Sequence, residues 1–340
     1  MTKTTKRSLI AICIVILLAA VCLAVMPKAL AFAQEASVLN ASAYFGGGSG
    51  TVSDPYIIKN ETQLNNIRNF LSYDGATQAY RIKASFKLAS TIILTDTWTP
   101  IPGYFDGTFD GVNYTIDYLN IEVNPSSGQY FGLFEYIANG TVKDLFLDKV
   151  TIKYSSEANT ANEICVGSVA GMNAGTITNC FIEEGSLSTM GAYNGYTAGI
   201  AGKNIGVISY CTNYATVTGC GYTGGIAGIN GGSGLITSCK NYGTIEFSRK
   251  VVDSYTGGIV GKNVSDATVE SCHNGGDIKY VGPYWAASVK PCAGQIIGWY
   301  ASGYFNINNN SWNGKCSFSP LNSSNAKYCS TGAVGRWPED

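Results

Sequence analysis

The chain has 340 residues, of which 41 are glycine and only 13% are Asp, Glu, Lys or Arg, about half the charged fraction of an ordinary soluble domain. The hydrophobic content of 45% and the aromatic content of 12% exclude an intrinsically disordered chain, because such chains are charged and poor in aromatic residues. The net charge of −1 and the lack of a basic block after residue 7 argue against a nucleic-acid binder.

Residues 1–33 have the layout of a secretory signal peptide. A positively charged start precedes an apolar run over 9–25, and small residues at every second position lead up to Ala33. We expect cleavage after Ala33, which would leave 18 basic and 23 acidic residues and a net charge of −5. A retained membrane anchor is the alternative, because 17 apolar residues lie at the lower limit for spanning a bilayer. A lipidated Cys22 is disfavoured, since the residue before it is not small.

The next segment, residues 34–49, carries a run of three glycines near its end and is expected to be a flexible leader. Asn60 begins a capping-box pattern that ends at Gln63, and apolar residues then follow at helical spacing, which predicts a short helix. Because open edges of β-sheets need covering, we expect this helix to cap the strands that follow it. Runs that alternate in period two between Trp98 and Leu147 predict those strands.

Four segments of the second half repeat one pattern, in which small residues precede an Asn and a Cys closes each copy. The four segments are Gly167–Cys180, Ala198–Cys211, Gly224–Cys239 and Gly257–Cys272. A degenerate fifth copy starts at Ala293 and lacks the Cys. Within each copy apolar and polar residues alternate in period two, which is typical of short strands joined by tight turns. One copy cannot bury its own apolar face, so stacked copies must share a core.

These copies predict a parallel β-solenoid in which each repeat forms one turn and neighbouring turns lie ~4.8 Å apart. Connections between parallel strands are right-handed as a rule, so we expect a right-handed solenoid. The spacing between copies varies while the motif stays intact, which places insertions in loops on one side. The predicted fold class is therefore all-β, a right-handed parallel β-helix with a short N-terminal capping helix.

The motif Gly-Gly-[Ile/Leu]-[Ala/Val]-Gly, followed by a turn, Ile, a polar pair and Cys, resembles the GLUG family of bacterial extracellular repeats over about 165–312. Residues 50–152 look like the segment that commonly precedes such repeats, and we interpret them as the N-terminal cap and the first turns of the same stack. Residues 153–312 would be the GLUG-like turns and 313–340 a C-terminal tail. The resemblance implies an extracellular structural or adhesive role, since related repeats occur in bacterial adhesins and in large secreted peptidases.

Nine cysteines remain once the signal is removed, and an odd number leaves at least one free thiol or an intermolecular bridge. Four share one repeat position and should form a column: Cys180, Cys211, Cys239 and Cys272. Zinc does not fit, because it prefers a tetrahedron and a column is a line. Disulfides along the column stay open as an alternative, since the Cα spacing is bridgeable while the Cβ atoms lie slightly too far apart. We favour a buried ladder of free thiols.

A second column follows from the same alignment: Cys165, Tyr196, Tyr222, Tyr255 and Cys292. Its two cysteines are four turns apart, roughly 19 Å, so they cannot bridge each other. Beyond the repeats, Cys316 and Cys329 lie in a segment rich in Ser and Asn, and we favour a disulfide between them.

Few side chains have the spacing of a catalytic or metal site. The single histidine, His273, follows Cys272 just outside the repeat strand and is interpreted as a solvated loop residue. Asp106 and Asp110 could form a Ca²⁺ site or a glycosidase pair, but in an extended chain they would lie ~13 Å apart, too far for either glycosidase geometry. We interpret them as two Asp-Gly turns beside a core Phe.

Polar and aromatic residues also recur from copy to copy. Four asparagines at the first turn are expected to form a structural amide ladder: Asn173, Asn204, Asn230 and Asn263. Tyr210, Tyr214 and Tyr242, with the tyrosines of the second column, could offer aromatic faces to sugars or proteins. An aromatic ladder within the stack is the alternative interpretation.

The sequence therefore predicts a secreted or cell-surface, structural or adhesive β-solenoid that binds an extracellular polymer or a host glycoprotein, by analogy at the level of the fold. We expect no catalysis of its own, no cofactor, no metal, no nucleic-acid partner, and no membrane span after signal cleavage. A polysaccharide lyase or glycoside hydrolase on a parallel β-helix is the alternative. The identity of the ligand and the oligomeric state are left open at this point.

Overall fold

The computed structural model describes residues 43–123, 129–154, 163–189, 195–247, 254–281, 292–300, 307–318 and Val334. These residues form a parallel β-solenoid with one short helical segment, which confirms the predicted all-β fold and its capping helix. The right-handed sense stays a prediction. The expected signal peptide, residues 1–33, lies outside the described residues.

Five sheets run along the solenoid, and each complete turn adds one strand to every sheet. Their strands pair in parallel except for the antiparallel pair Ser72–Asp74 and Ala79–Ile82. We number them 1 to 5 in the order in which a turn visits them. The strands of sheet 1 are Tyr130–Phe131, Ile164–Gly167, Gly195–Ala198, Tyr222–Gly224, Tyr255–Gly257 and Cys292–Gly294. Those of sheet 2 are Ser72–Asp74, Ala79–Ile82, Ile101–Phe105, Phe134–Ile137, Ala170–Asn173, Ala201–Asn204, Ala227–Asn230, Val260–Asn263 and Ile297–Tyr300.

Sheets 3 to 5 complete each turn. The strands of sheet 3 are Tyr56–Ile58, Phe86–Leu88, Thr108–Asp110, Thr141–Lys143, Thr176–Thr178, Val207–Ser209, Leu235–Thr237, Thr268–Glu270 and Ile307–Asn308. Those of sheet 4 are Ile92–Ile93, Thr115–Asp117, Phe146–Asp148, Phe181–Ile182, Thr212–Asn213, Lys240–Asn241, His273–Asn274 and Ser311–Trp312. Those of sheet 5 are Asn120–Val123, Val150–Tyr154, Gly185–Ser188, Thr216–Gly219, Ile245–Phe247, Ile278–Tyr280 and Cys316–Phe318.

The connections from sheet 5 to sheet 1 carry most of the variation in repeat length. They range from two residues (220–221) to eleven residues (281–291). The connections from sheet 1 to sheet 2 are two residues long in every turn, for example 168–169. The insertions expected on one side of the solenoid therefore concentrate at the corner between sheets 5 and 1.

The glycine of the repeat motif is required where sheets 1 and 2 pack directly against each other. A Cβ on Gly202 in sheet 2 would lie 2.4 Å from the backbone nitrogen of Val166 in sheet 1 of the preceding turn. Gly261 is in the same situation, since its Cβ would lie 2.6 Å from the backbone nitrogen of Thr223. Backbone atoms at such distances cannot give way, so these positions accept no side chain.

Two ladders of buried amides run through the repeat turns. In the predicted ladder, each Nδ2 donates to the Oδ1 of the next asparagine at 2.8 to 2.9 Å, in the order Asn173, Asn204, Asn230 and Asn263. The second ladder was not predicted, and it joins Asn213, Asn241, Asn274 and Gln295 at 2.8 to 2.9 Å. The amides also bind turn carbonyls, as Asn204 Nδ2 does with Gly206 O at 3.1 Å. Both ladders are therefore structural parts of the core.

A short helical segment closes the N-terminal end of the solenoid. Helix α1 spans Glu61–Asn65 and continues as a 3₁₀ helix over Asn66–Phe70. Asn60 caps α1 by accepting a hydrogen bond from Gln63 N at 2.9 Å, as the capping pattern predicts. Leu64 and Ile67 are fully buried, and Phe70 packs against the rings of Phe45, Tyr56 and Phe86.

Two boundaries expected from the sequence are corrected at the ends of the fold. Phe45, assigned to the flexible leader 34–49, is 4% exposed. The adjacent Gly46 N donates to Ile57 O at 2.8 Å, so the chain is already ordered here because it pairs with the first strand. At the other end, the expected tail 313–340 contributes the strand Cys316–Phe318, which pairs with sheet 5. The solenoid therefore extends beyond residue 312.

Candidate binding surface

Five aromatic rings form a continuous row along the outside of sheet 4, and we call it the aromatic row. Its members, in order, are Phe146, Phe181, Tyr214, Tyr242 and His273. Successive ring centroids lie 5.5, 5.3, 5.0 and 5.8 Å apart, and each ring comes from the next turn of the solenoid. The repeat therefore converts one aromatic residue per turn into a strip parallel to the solenoid axis.

The rings of the row are accessible to solvent and mostly tilted against one another. Tyr214 is 46% exposed and Tyr242 is 39% exposed. Interplanar angles are 57°, 43°, 25° and 54° along the row, so Tyr214 and Tyr242 stack on each other while the other neighbouring rings are tilted. Gly275 makes room for Tyr242, because a Cβ there would lie 2.7 Å from the tyrosine ring. The surface thus offers ring faces as well as phenol groups.

Tyr210 lies between the strands Val207–Ser209 and Thr212–Asn213, four residues before Tyr214, at a corner where the backbone is left-handed in successive turns. The residues with positive φ at this corner are Asp144, Asn179, Tyr210, Ser238, Ser271 and Asn309. Five of them are small polar residues, the types that tolerate this conformation best. Tyr210 adopts φ 53° with 66% of its surface exposed. A bulky residue therefore occupies a strained position without any gain in burial.

The predicted column of Tyr196, Tyr222 and Tyr255 in sheet 1 is a different kind of surface. Its rings are stacked nearly parallel, at 5.1 Å and 7° for the first pair and 5.2 Å and 22° for the second. Lys262 lies 4.8 Å from the centroid of the Tyr222 ring and donates to its hydroxyl at 3.3 Å. Tyr255 is only 7% exposed. Neighbouring rings and a lysine cover these faces, so this column is an aromatic ladder within the stack.

Glu163 closes the first end of this ladder. The hydroxyl of Tyr196 donates to the Glu163 carboxylate, and Lys203 lies 3.4 Å from the same group. Burial and this hydrogen bond raise the pKa of Tyr196 well above its usual range, so the phenol stays protonated. Cys165, in the same column, is buried and free, and burial raises the pKa of its thiol. The side chain of Cys292 lies outside the described residues.

The four cysteines of the repeat position are buried and not disulfide-bonded: Cys180, Cys211, Cys239 and Cys272. Each thiol lies within hydrogen-bond distance of the carbonyl two residues earlier, for example Cys211 Sγ and Ser209 O at 3.2 Å. Burial raises the pKa of Cys180 and of Cys239, which keeps these thiols protonated and unreactive. Asn310 occupies the next position of the column, where its Oδ1 accepts from Cys272 N at 2.8 Å.

The cysteines beyond the repeats are only partly placed. Cys316 is disulfide-bonded, and its partner is not one of the six cysteines that the structure shows as free. Cys329 lies outside the described residues, so the pairing of Cys316 with Cys329 stays a prediction.

The aspartates considered for catalysis are held in ion pairs. Arg81 contacts Asp106 at 2.7 Å, and both side chains are about one-eighth exposed. Lys143 contacts Asp110 at 2.5 Å. A turn at 106–107 separates the strands Ile101–Phe105 and Thr108–Asp110, so the two carboxylates do not share one extended strand as their spacing had suggested. Their ion pairs connect neighbouring turns of the solenoid.

The interpretation of His273 as a loop residue is wrong. It lies in the sheet 4 strand His273–Asn274, paired in register with Lys240 and Ser311. Its Nδ1 is 2.8 Å from Ser311 Oγ, and its ring lies beside Tyr242. The histidine is therefore the last ring of the aromatic row, a role that its position in the sequence did not reveal.

A cleft of about 620 Å³ lies at the other end of the molecule, between the capping helix and residues 96–102. Arg68 joins its two walls, donating to Pro100 O at 2.7 Å and lying 4.6 Å above the Trp98 ring. Glu135 accepts from Gly103 N at 3.0 Å, and burial raises the pKa of its carboxyl above its usual range. The charged groups of the cleft thus hold the cap to the first turns.

The described part of the chain contains neither a cluster of metal-ligating side chains nor a helix that could span a membrane. No group of three or more His, Cys, Asp or Glu side chains there is arranged to hold a metal ion. None of the helices in the same residues has the length and apolar character needed to cross a bilayer.

Comparison with known proteins identifies one relative in sequence and one in structure. No family model matches the chain, so the resemblance to GLUG repeats stays a prediction. A protein of Evansella cellulosilytica, provisionally named a Gly-rich membrane protein, is 32% identical over 157 residues. The match covers 42% of this chain but only 16% of that protein, so the chain spans less than a fifth of its relative.

The structural relative is a crystal structure from Bacteroides ovatus, provisionally described as an immunoglobulin A1 protease. It superimposes with a TM-score of 0.61 over 86% of this chain and 85% of that chain, at 20% sequence identity. At this identity the likeness establishes the shared β-helix fold and does not extend to activity.

Proposed function

We propose that the protein is a secreted or cell-surface β-solenoid that binds an extracellular polymer or a host glycoprotein and has no catalysis of its own. The observation that carries the proposal is the concentration of exposed aromatic side chains on one sheet. Tyr210, Tyr214 and Tyr242 are 66%, 46% and 39% exposed within two successive turns. Exposed apolar surface of this kind is typical of interaction sites, because it is costly to leave in water.

The overall charge and the comparisons agree with this role. With 22 basic and 23 acidic residues, the chain has no net charge that would attract a polyanion. The Evansella relative is named as a membrane protein, which is compatible with a place at the cell surface for this chain too. The ion pairs of Asp106 and Asp110 support a structural rather than a catalytic role for these carboxylates.

The proposal is tested by measuring retention of the purified protein on immobilised mucin, collagen and a set of polysaccharides. We expect saturable retention on at least one of them that survives physiological salt. A protein that is retained on none of these surfaces would be a passive spacer, and the binding role would be wrong.

A glycan-cleaving activity is the second candidate, and one observation favours it. Asp117 and Asp148 lie opposite each other in neighbouring strands of sheet 4, and Asp148 shares its strand with Phe146 of the aromatic row. Adjacent strands are ~4.8 Å apart, close to the separation of the two carboxylates in retaining glycosidases. Burial and the charge of Asp148 raise the pKa of Asp117. Release of reducing sugar that disappears in Asp117→Asn would support this activity, and no release from any glycan would exclude it.

A further inference from the structure

We propose that the aromatic row and Tyr210 hold an extended, uncharged polysaccharide chain that lies along the solenoid axis. This inference rests on the binding role proposed above and names both the surface and the class of ligand. It follows from the geometry of the row, its electrostatics and the backbone of Tyr210.

The geometry favours a long chain over a compact ligand. Five rings at centroid distances of 5.0 to 5.8 Å make a strip roughly 20 Å long. A small molecule needs a concave site to bury most of its surface. The cleft beside the capping helix is lined by residues of the cap and the first turns, none of which belongs to the row. A polymer, in contrast, can contact each ring in succession.

The chemistry of the row fits sugar rings. The faces of aromatic rings carry partial negative charge and attract polarised C–H groups, which sugars present on their own faces. The tilted pairs at either end of the row leave such faces accessible, and the hydroxyls of Tyr214 and Tyr242 can exchange hydrogen bonds with sugar hydroxyls. The row therefore provides apolar contacts along its length and polar contacts from its two tyrosines.

The electrostatics favour an uncharged polymer. Glu183, Glu184 and Lys240 are exposed charged residues in or just after the sheet 4 strands of the middle turns, and they include both signs. Towards the first turns, Asp144 and Asp148 form ion pairs with the neighbouring lysines at 3.1 and 3.0 Å. The surface thus lacks the cluster of one sign that a polyanion or a polycation would need.

The backbone of Tyr210 indicates that its ring is kept for a purpose other than folding. At the equivalent corner of the flanking turns, Asn179 and Ser238 adopt the same left-handed conformation with small polar side chains. Because Asn tolerates positive φ better than tyrosine, Asn would be the more stable residue at position 210. Strain retained at an exposed aromatic residue is typical of a binding position.

The test compares variants of the full chain by affinity electrophoresis in gels containing xyloglucan, galactomannan or mannan, with hyaluronan as the charged polymer. The double variant Tyr214→Thr/Tyr242→Thr removes the centre of the row. Its matched control is Tyr73→Thr/Tyr80→Thr, since these tyrosines are 59% and 57% exposed and form a ring pair in the N-terminal hairpin. Tyr210→Asn tests the strained corner.

We expect retardation of the wild type by a neutral polysaccharide, about a 10-fold or greater loss of affinity in the Tyr214/Tyr242 variant, and no loss in the control. Tyr210→Asn should weaken binding while its unfolding transition moves to higher denaturant concentration, a combination that a structural residue would not show. Unchanged binding in the Tyr214/Tyr242 variant would overturn the inference.

Other outcomes also separate this inference from the general binding role. If the protein is retained on mucin or collagen but binds none of the neutral polysaccharides, the proposed glycan site is wrong and the binding role remains. A concentration-dependent dimer in sedimentation velocity that disappears in the Tyr214/Tyr242 variant would show that the row joins two copies, and the glycan site would again be wrong. Retention on no surface at all would remove both proposals.

Discussion

Glu135 and Gly171 occupy the same register position of sheet 2 in two consecutive turns, yet one carries a long charged side chain and the other has none. A Cβ on Gly171 would lie 2.5 Å from Phe131 N, because a strand of sheet 1 lies beneath it. Among the described residues sheet 1 begins at Tyr130–Phe131, so no such strand lies beneath Glu135. Glu135 lines the cleft there instead. The glycine is thus a requirement of the contact between sheets 1 and 2 and not of the solenoid.

The cores of the two regions differ in the same way. The first turns are filled with large rings, since four of the five largest fully buried side chains lie there: Phe86, Phe105, Phe109 and Phe134. The fifth, Phe247, lies in the repeat turns. In register with Phe105 come first Ile137 and then Asn173, where the amide ladder begins. At this register position, apolar packing is therefore replaced by a hydrogen-bonded column from one turn of the solenoid to the next. One fold is stabilised by two kinds of column, and each kind can be broken separately.

The largest effect is expected at the contact between sheets 1 and 2. Gly202→Val places a branched side chain where even a Cβ would lie 2.4 Å from Val166 N. Because the obstacle is backbone, we expect a loss of at least ~3 kcal/mol or a failure to fold, measured by urea unfolding. Glu135→Val is the matched control, and it should cost about 1 kcal/mol through the lost hydrogen bond to Gly103 N. Equal losses at both positions would contradict the comparison.

The next largest effect is expected in the amide ladder. Asn230→Leu removes the acceptor of Asn204 Nδ2 and the donor to Asn263 Oδ1, so two buried groups lose partners and unfolding should become easier by about 3 kcal/mol. Asn173→Leu should cost about half as much, because Asn173 Oδ1 already lacks a donor at the step from Ile137. Equal losses of stability in the two variants would mean that the amide ladder does not end at Asn173. Thermal unfolding of both variants measures the difference.

The repeat columns could be predicted from sequence because residues at one repeat position face the same way in every turn. The asparagine and cysteine columns follow this rule. The aromatic row does not, since Phe181 pairs in register with Thr212 while its ring contacts Tyr214, two residues further on. Such diagonal contacts depend on the direction of side chains and not on alignment. His273 was misplaced for a related reason, because strands of only two residues have too little alternation to be recognised.

A smaller effect is expected in the cysteine column. Cys239→Ser exchanges a thiol for a smaller, more polar hydroxyl that can still donate to Thr237 O, so we expect a loss of about 1 kcal/mol. The state of the thiols is measured separately by alkylating unfolded, unreduced wild-type protein and locating the label by peptide mass spectrometry. Label on Cys180, Cys211, Cys239 and Cys272 is the expected result. Unlabelled peptides would show that the column is bridged by disulfides.

The smallest effect is expected at Asp117. The first turns place carboxylates on sheet 4, whereas later turns place tyrosines there. Burial, followed by the charge of Asp148, raises the pKa of Asp117 above its ordinary value. A carboxyl with a raised pKa in the folded state stabilises the protein as the pH falls through that pKa, and its charge is unfavourable above it. Asp117→Asn should therefore raise Tm slightly at pH 7.

This gain should shrink as the pH falls towards about 4, because the wild-type carboxyl then takes up a proton and loses its unfavourable charge. Thermal unfolding of both proteins between these pH values measures the trend. Asp266→Asn, at an exposed turn of the repeat region, controls for the loss of one negative charge and should show no such trend. A gain that is independent of pH, or a loss at pH 7, would show that Asp117 is stabilised as a carboxylate. Asp117 would then stabilise the fold as a charged group, as the ion-paired aspartates of the first turns do.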